Sequence, residues 1–193
     1  PWVVLGAIAQ ATSTITIGTL ITPVPRRRPQ KLAKEAATLH ALSGGRAVLG
    51  VGLGVPLDYE AYGEPVDAHE RAALLDAGLA GIDEQLGDRR PPVWVAGRFP
   101  NPGPIARATR WDGYVPLLAV RDGFGLRRPD DVRAVRAALG DVPATFDIVT
   151  SKHWEHDAAE YAAAGVTWLT SSWNAEPGWV EHIEELAGSR PTA

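Results

Sequence analysis

The chain has 193 residues, 45% of them apolar, with a formal net charge of −4. That size and composition suit one soluble globular domain over residues 1–193 with a core of useful size. The acidic balance argues against a nucleic-acid partner, and the lack of cysteine excludes disulfides, thiolate nucleophiles and sulfur-ligated metals.

No apolar run reaches the roughly 18 residues of a spanning helix, and no secretory leader pattern opens the chain. The expectation is a cytoplasmic protein with no membrane partner.

Trp2 to Ala11 reads as an apolar helix, and Thr14–Thr22 alternates as a strand does. The turn Pro23-Val-Pro-Arg-Arg-Arg-Pro29 opens a second helix that closes at Leu42-Ser-Gly-Gly45. Arg26, Arg27 and Arg28 are local and offset elsewhere, so a solvated helix start is favoured over phosphate contact. A second strand, Ala47–Leu53, leads into the glycine-spaced stretch Gly50-Val-Gly-Leu-Gly54 and a loop from Val55 to Val66. Asp67-Ala-His-Glu70 is a capping box opening a long helix to Gln85. Val93–Gly97 is short and apolar, as a buried parallel strand is, and Pro104 suits the first turn of a helix running to Trp111. Strands at Gly113–Leu118, Thr145–Ser151 and Val166–Ser171 follow, with helices at Asp130 to Leu139, after the capping box Asp157-Ala-Ala-Glu160, and at Trp179 to Ala187.

Strands alternating with helices imply a parallel sheet with right-handed crossovers, whose sites lie at the carboxyl ends of the strands. Thr22, Gly52, Leu53 and Gly54 fall at two such ends. Glycine there lets the backbone approach a flat ring or a neighbouring strand, and both readings stay open. The G-x-G-x-x-G dinucleotide form is absent. Gly97, Arg98 and Asn101 combine a strand end, a planar cation and a helix start, which together make an anion site; the alternative is a surface arginine in a proline-shaped turn.

No general base stands out. His40, His69 and His182 read as surface residues, and the His153 and His156 pair lacks further ligands, so no metal is expected. Trp168, Trp173 and Trp179 either line an apolar pocket or pack the barrel.

Thr38-Leu-His-Ala-Leu-Ser-Gly-Gly-Arg46, taken with Thr19 to Pro29 and the glycine-spaced strand, resembles the bacterial-luciferase-like flavin-dependent oxidoreductases. The family form of this signature carries an acid where His40 stands. Tyr59-Glu-Ala-Tyr-Gly63, Pro92-Val-Trp-Val-Ala-Gly97 and Arg110-Trp-Asp-Gly113 recur in family order. The resemblance implies a (β/α)8 TIM barrel, with about six β/α units present here and two strands with their intervening helix expected upstream of Pro1. Relatives also carry a longer excursion where Leu86 to Pro91 passes straight from helix to strand. The absence of methionine fits an incomplete sequence.

By the same resemblance the function is redox chemistry with reduced FMN, as a monooxygenase acting on a small organic substrate. A separate flavin reductase and a homodimer are the expected partners. The rival is hydride transfer with the deazaflavin coenzyme F420, and a third reading is a noncatalytic flavin-binding barrel. Thr22 would lie beside the flavin, either bonding the ring edge or satisfied within its strand, and the Leu20–Ile21 bond matches a non-proline cis peptide of some relatives. The basic phosphate contact that relatives place in the strand-end loop corresponds to Leu53, which cannot make it.

Overall fold

In the computed structural model, which describes residues 1–120, 123–124, 128–151 and 156–170, six parallel strands form one curled sheet flanked by helices. Helix α1 (Trp2–Ala11) leads to β1 (Ile17–Pro23), α2 (Pro29–Leu42) and β2 (Ala47–Gly52). Short α3 (Pro56–Glu60) and long α4 (Ala68–Leu86) precede β3 (Val93–Phe99), α5 (Pro102–Ala108) and β4 (Gly113–Val120). The two-residue β5 (Gly123–Phe124), α6 (Pro129–Leu139), β6 (Asp147–Ser151), α7 (Ala158–Ala163) and β7 (Trp168–Thr170) complete the described chain.

The order β1-β2-β3-β4-β6-β7 follows the sequence, so each described crossover advances by one parallel neighbour, as in a barrel wall. β1 and β7 are the two edges of the sheet. All six expected strands are present, with shifted ends: β1 starts at Ile17, where Ala47 first offers a partner, and β7 covers three residues. Among the α-helices and strands, two were not expected. α3 forms in the loop after β2, and β5 folds back antiparallel on β4.

Local chemistry accounts for the helix ends. Pro29, at the first turn of α2, has no amide to leave unsatisfied. Gly44 and Gly45 take φ of 67° and 88°, and their amides close on the carbonyls of Ala41 and His40; residues with a Cβ resist that conformation. Asp67 caps α4 by accepting from the amides of His69 and Glu70, but the reciprocal Glu70 bond of the expected box does not form. At α7 both halves form, between Asp157 and Glu160.

Strand alternation gives the sheet two faces. Leu49, Val51, Val93, Val95, Tyr114 and Ile148 face outward and pack with Leu32, Leu75, Leu79, Ile82 and Val135 of the helices. Trp94, Ala96, Val115 and Val149, with Ile21, Val48 and Leu117, pack on the concave face. Among the described residues no helix is long and apolar enough to cross a membrane.

Candidate active site at the carboxyl ends of the strands

Ala96 is paired with Val115 and Arg98 with Leu117, so the inward alternation that buries Trp94 and Ala96 also carries Arg98 inward, two residues higher. The register pairing Gly113 with Asp147 brings Leu117 level with Ser151, which is paired with Thr170. Arg98, Leu117, Ser151 and Thr170 thus share one row at the upper rim of the concave face. Ser151 Oγ and Thr170 Oγ1 lie 3.2 Å apart, and Thr170 also donates to the Thr150 carbonyl at 3.3 Å. Arg98 is exposed, and no carboxylate lies within ion-pair distance of it among the described residues. A cation and two hydroxyls on one rim can bind an anionic, oxygen-rich ligand.

The glycine strand ends hold something else. A Cβ on Gly52 would lie 2.3 Å from Ile21 Cδ1, and one on Gly97 would lie 2.2 Å from Pro104 Cβ. Both spaces are already filled by the protein, so the close approach these glycines permit is made by its own side chains. Gly54 has φ of 72° and turns the chain out of β2 against Pro23 and Tyr59. The Leu53 carbonyl accepts from the Tyr59 hydroxyl at 2.6 Å.

Thr22 is 4% exposed and donates to Thr19 Oγ1 at 2.9 Å, while Thr19 donates to the Gly50 carbonyl at 3.0 Å. Its hydroxyl is therefore satisfied within the strand. The Leu20–Ile21 peptide is cis, as the resemblance implies, and lies inside the β1–β2 register shift between Thr19 and Thr22; Phe99–Pro100 is also cis.

Asn101 precedes α5 without a side-chain cap bond, and its amide donates to the Arg98 carbonyl at 3.1 Å. Pro102 and Pro104 have no amide and the Asn101 amide is spent on Arg98, leaving that of Gly103 at the start of α5. The helix start is thus a weaker anion site than expected, and Arg98 is the main cationic feature of this corner. Those residues fit the phosphate of a ring cofactor at Arg98; a cradle formed by bare glycines does not fit.

Three clusters were not read from sequence. At the lower end of the concave face, Asp147 accepts from Trp94 Nε1 at 2.9 Å and Trp168 Nε1 at 3.1 Å, and the two indoles pack 5.3 Å apart. Only the aromatic character of Trp168 had signalled its packing. Beside the Leu53–Gly54 turn, Arg26 lies 5.3 Å over both Tyr59 and Tyr62 and pairs with Glu64 at 2.5 Å. Burial pushes the Tyr59 hydroxyl above its ordinary range, against the pull of Arg71 and Arg26. Between α4 and α5, Asp76 receives Arg107 and Arg110; the hydrogen bond from Arg107 is the main cause that holds its carboxyl below the usual range. Ser171, Trp173, Trp179, His153, His182 and the helix expected over 179–187 lie outside the described residues.

The family model described as luciferase-like monooxygenase matches residues 1–79. A phthiodiolone/phenolphthiodiolone dimycocerosates ketoreductase of Mycobacterium tuberculosis is 29% identical over 98% of this chain and 58% of its own length. The chain thus spans a little over half of that curated relative. Its fold is similar to an F420-dependent secondary alcohol dehydrogenase in complex with an F420-acetone adduct, with TM-score 0.61 and 18% identity over 78% of this chain and 53% of that one. It is likewise similar to a type II Baeyer–Villiger monooxygenase of Pseudomonas putida in complex with FMN, with TM-score 0.59 and 17% identity over 77% and 51%. The curled parallel sheet, the Thr38–Arg46 signature and the match over residues 1–79 make this chain similar to the luciferase-like monooxygenase family.

Proposed function

We propose that the protein is a two-electron oxidoreductase that binds a phosphate-bearing flavin or deazaflavin at the carboxyl ends of its strands, and that it uses the deazaflavin F420 to move hydride between a carbonyl and an alcohol. The observation that carries this reading is the sequence likeness to a ketoreductase along 98% of the chain. When bound, the ring supplies the hydride chemistry, which no side chain can. The protein's part is to anchor and orient. Arg98 holds the phosphate from the concave rim, and Leu117 supplies an apolar wall beside it. Ser151 and Thr170 offer hydroxyls to the oxygen of a carbonyl or alcohol substrate at the same height.

A second reading, monooxygenation with reduced FMN supplied by a flavin reductase, draws on the fold likeness to the FMN-bound Baeyer–Villiger enzyme. Anaerobic mixing of the intact protein with reduced F420 and a panel of ketones separates the two. Ketone-dependent oxidation of the coenzyme without oxygen is the expected result. No such turnover, together with oxygen uptake and an oxygenated product from reduced FMN, would replace the first reading by the second.

A further inference from the structure

The chain that leaves β1 turns toward the helices. Val24 is buried in the outer core, and a Cβ on Gly78 of α4 would lie 2.5 Å from Val24 Cγ1. The three arginines that follow Pro25 are thereby carried to the helix side of the sheet, away from the concave face that bears Arg98. There they line a cavity of about 280 Å³ together with Glu64, Pro65 and Leu74 of α4. As sequence the triplet reads as a solvated helix start; the fold gives it a cavity to line.

Arg26 is fixed in place. Its Nε donates to Glu64, and its carbon centre lies 5.3 Å from the rings of both Tyr59 and Tyr62. Both of its Nη groups have no partner among the described residues. Arg27 and Arg28 are exposed, and neither side chain has a hydrogen bond or ion pair among the described residues. Three guanidiniums and one carboxylate leave the lining with two positive charges. Asp58 adds a weaker field at Arg26 but does not line the cavity. Like charges gathered on one cavity repel one another, and an anion of matching charge turns that cost into attraction.

We propose that this outer cavity is a second ligand site, separate from the cofactor rim, and that it takes a small phosphate monoester. Such an ester carries about two negative charges at neutral pH, which matches the lining. It places both on one group, within reach of consecutive guanidiniums whose planar forks suit its oxygens. The volume is at the small end for a ligand pocket, so the ester is of metabolite size, with Pro65 and Leu74 facing its organic body. No residue that lines the cavity belongs to the concave face, so the site stands whether or not a flavin or deazaflavin binds at Arg98.

The test is a ¹⁵N-amide titration of the intact protein with phenyl phosphate, with succinate and phenol as the dicarboxylate and neutral controls. Saturable shifts at the amides of Arg26, Arg27, Arg28 and Glu64 are expected with phenyl phosphate, weaker ones with succinate and none with phenol. The Kd read from those amides should rise about 10-fold when Arg27→Gln and Arg28→Gln are combined, and Arg98→Ala should leave it unchanged. Arg27 and Arg28 are exposed, so the double variant should melt like the parent. Phenyl phosphate shifts confined to Arg98 and Asn101 would overturn the proposal, as would a Kd untouched by the double variant or equal shifts with phenol. Tighter binding of succinate would overturn the assignment to phosphate.

Discussion

Arg46 holds Thr12 twice: Nη1 donates to Thr12 Oγ1 at 3.2 Å and Nη2 to the Thr12 carbonyl at 2.8 Å. The same guanidinium also reaches the carbonyls of Ala9 at 3.0 Å, Ile15 at 2.5 Å and, through Nε, Ser43 at 2.8 Å. A cation is thereby set against the orphan carbonyls at the end of α1, where a helix dipole favours it. Ser43 supports the clasp, donating to the His40 carbonyl and accepting from the Arg46 amide. The Ser-Gly-Gly-Arg part of the signature thus ties α1 and α2 together at the lower end of the sheet. It marks the family through architecture, at the opposite end from the candidate site.

Replacing Arg46 by methionine keeps the aliphatic stem but strips these carbonyls of their donor. The expected loss of stability is about 1.5–3 kcal/mol, the range for a hydrogen bond to a charged group. Arg46→Lys should recover little, since one ammonium cannot span the same fork. Urea unfolding of the three proteins decides this. A methionine variant as stable as the parent would show the clasp to be incidental.

Gly97 and Gly52 should differ in how they tolerate a methyl group. At Gly97 the obstacle is Pro104, fixed in the first turn of α5, so Gly97→Ala must move a helix and should cost about 1–3 kcal/mol. At Gly52 the obstacle is the tip of Ile21, which can rotate, so Gly52→Ala should cost less. Equal costs, measured by thermal melting, would contradict this account of the two strand ends.

Much of the barrel wall was legible because strand and helix periods alternate cleanly from Trp2 to Leu86 and each helix carries its own stop or start residues. The Leu20–Ile21 cis peptide was legible only through resemblance, since nothing in Thr-Leu-Ile-Thr itself announces it. The glycines were legible as sites of close approach, but not what approaches them: Ile21 and Pro104 arrive by tertiary packing. Trp94 and Asp147 are 53 residues apart and meet only because sheet register puts both on the lower inner face. α3 was hidden within a proline- and glycine-bearing loop, and with it Tyr59, whose burial gives that helix its anchor.

Asp147 should be the structural acid of that lower face. Asp147→Ala leaves two indole N–H groups without an acceptor, one on a buried tryptophan, and should cost about 1–3 kcal/mol. Asp147→Asn keeps one carbonyl oxygen and should fall between. Near-ultraviolet circular dichroism should lose the Trp94–Trp168 signal in the alanine variant alone. An unchanged spectrum would mean that packing, without the shared carboxylate, fixes the pair.

Asp76 predicts a stability change in acid. Its folded pKa is depressed, chiefly by the Arg107 hydrogen bond, so its contribution is complete above the unfolded value of about 3.9. The contribution is lost as pH falls from there through the lower folded pKa. Asp76→Asn should therefore be less stable at neutral pH, and its stability should fall less between about pH 5 and pH 2. Parallel acid limbs for variant and parent would assign the depression no energetic weight, as the partial exposure of Asp76 would then have screened it.

Arg98 carries the sharpest prediction about the ligand. It projects inward from β3 beside Leu117, and the prolines of α5 leave few amides to share its role. Arg98→Ala should weaken binding of a phosphate-bearing cofactor by about 1.5–3 kcal/mol, which is about 10–150-fold in Kd. Arg98→Lys should restore part of this, because charge survives while the planar fork is lost. Riboflavin, which has no phosphate, should bind the parent and both variants alike. Calorimetric titration gives all of these constants. An FMN or F420 Kd untouched by Arg98→Ala would place the phosphate elsewhere on the rim.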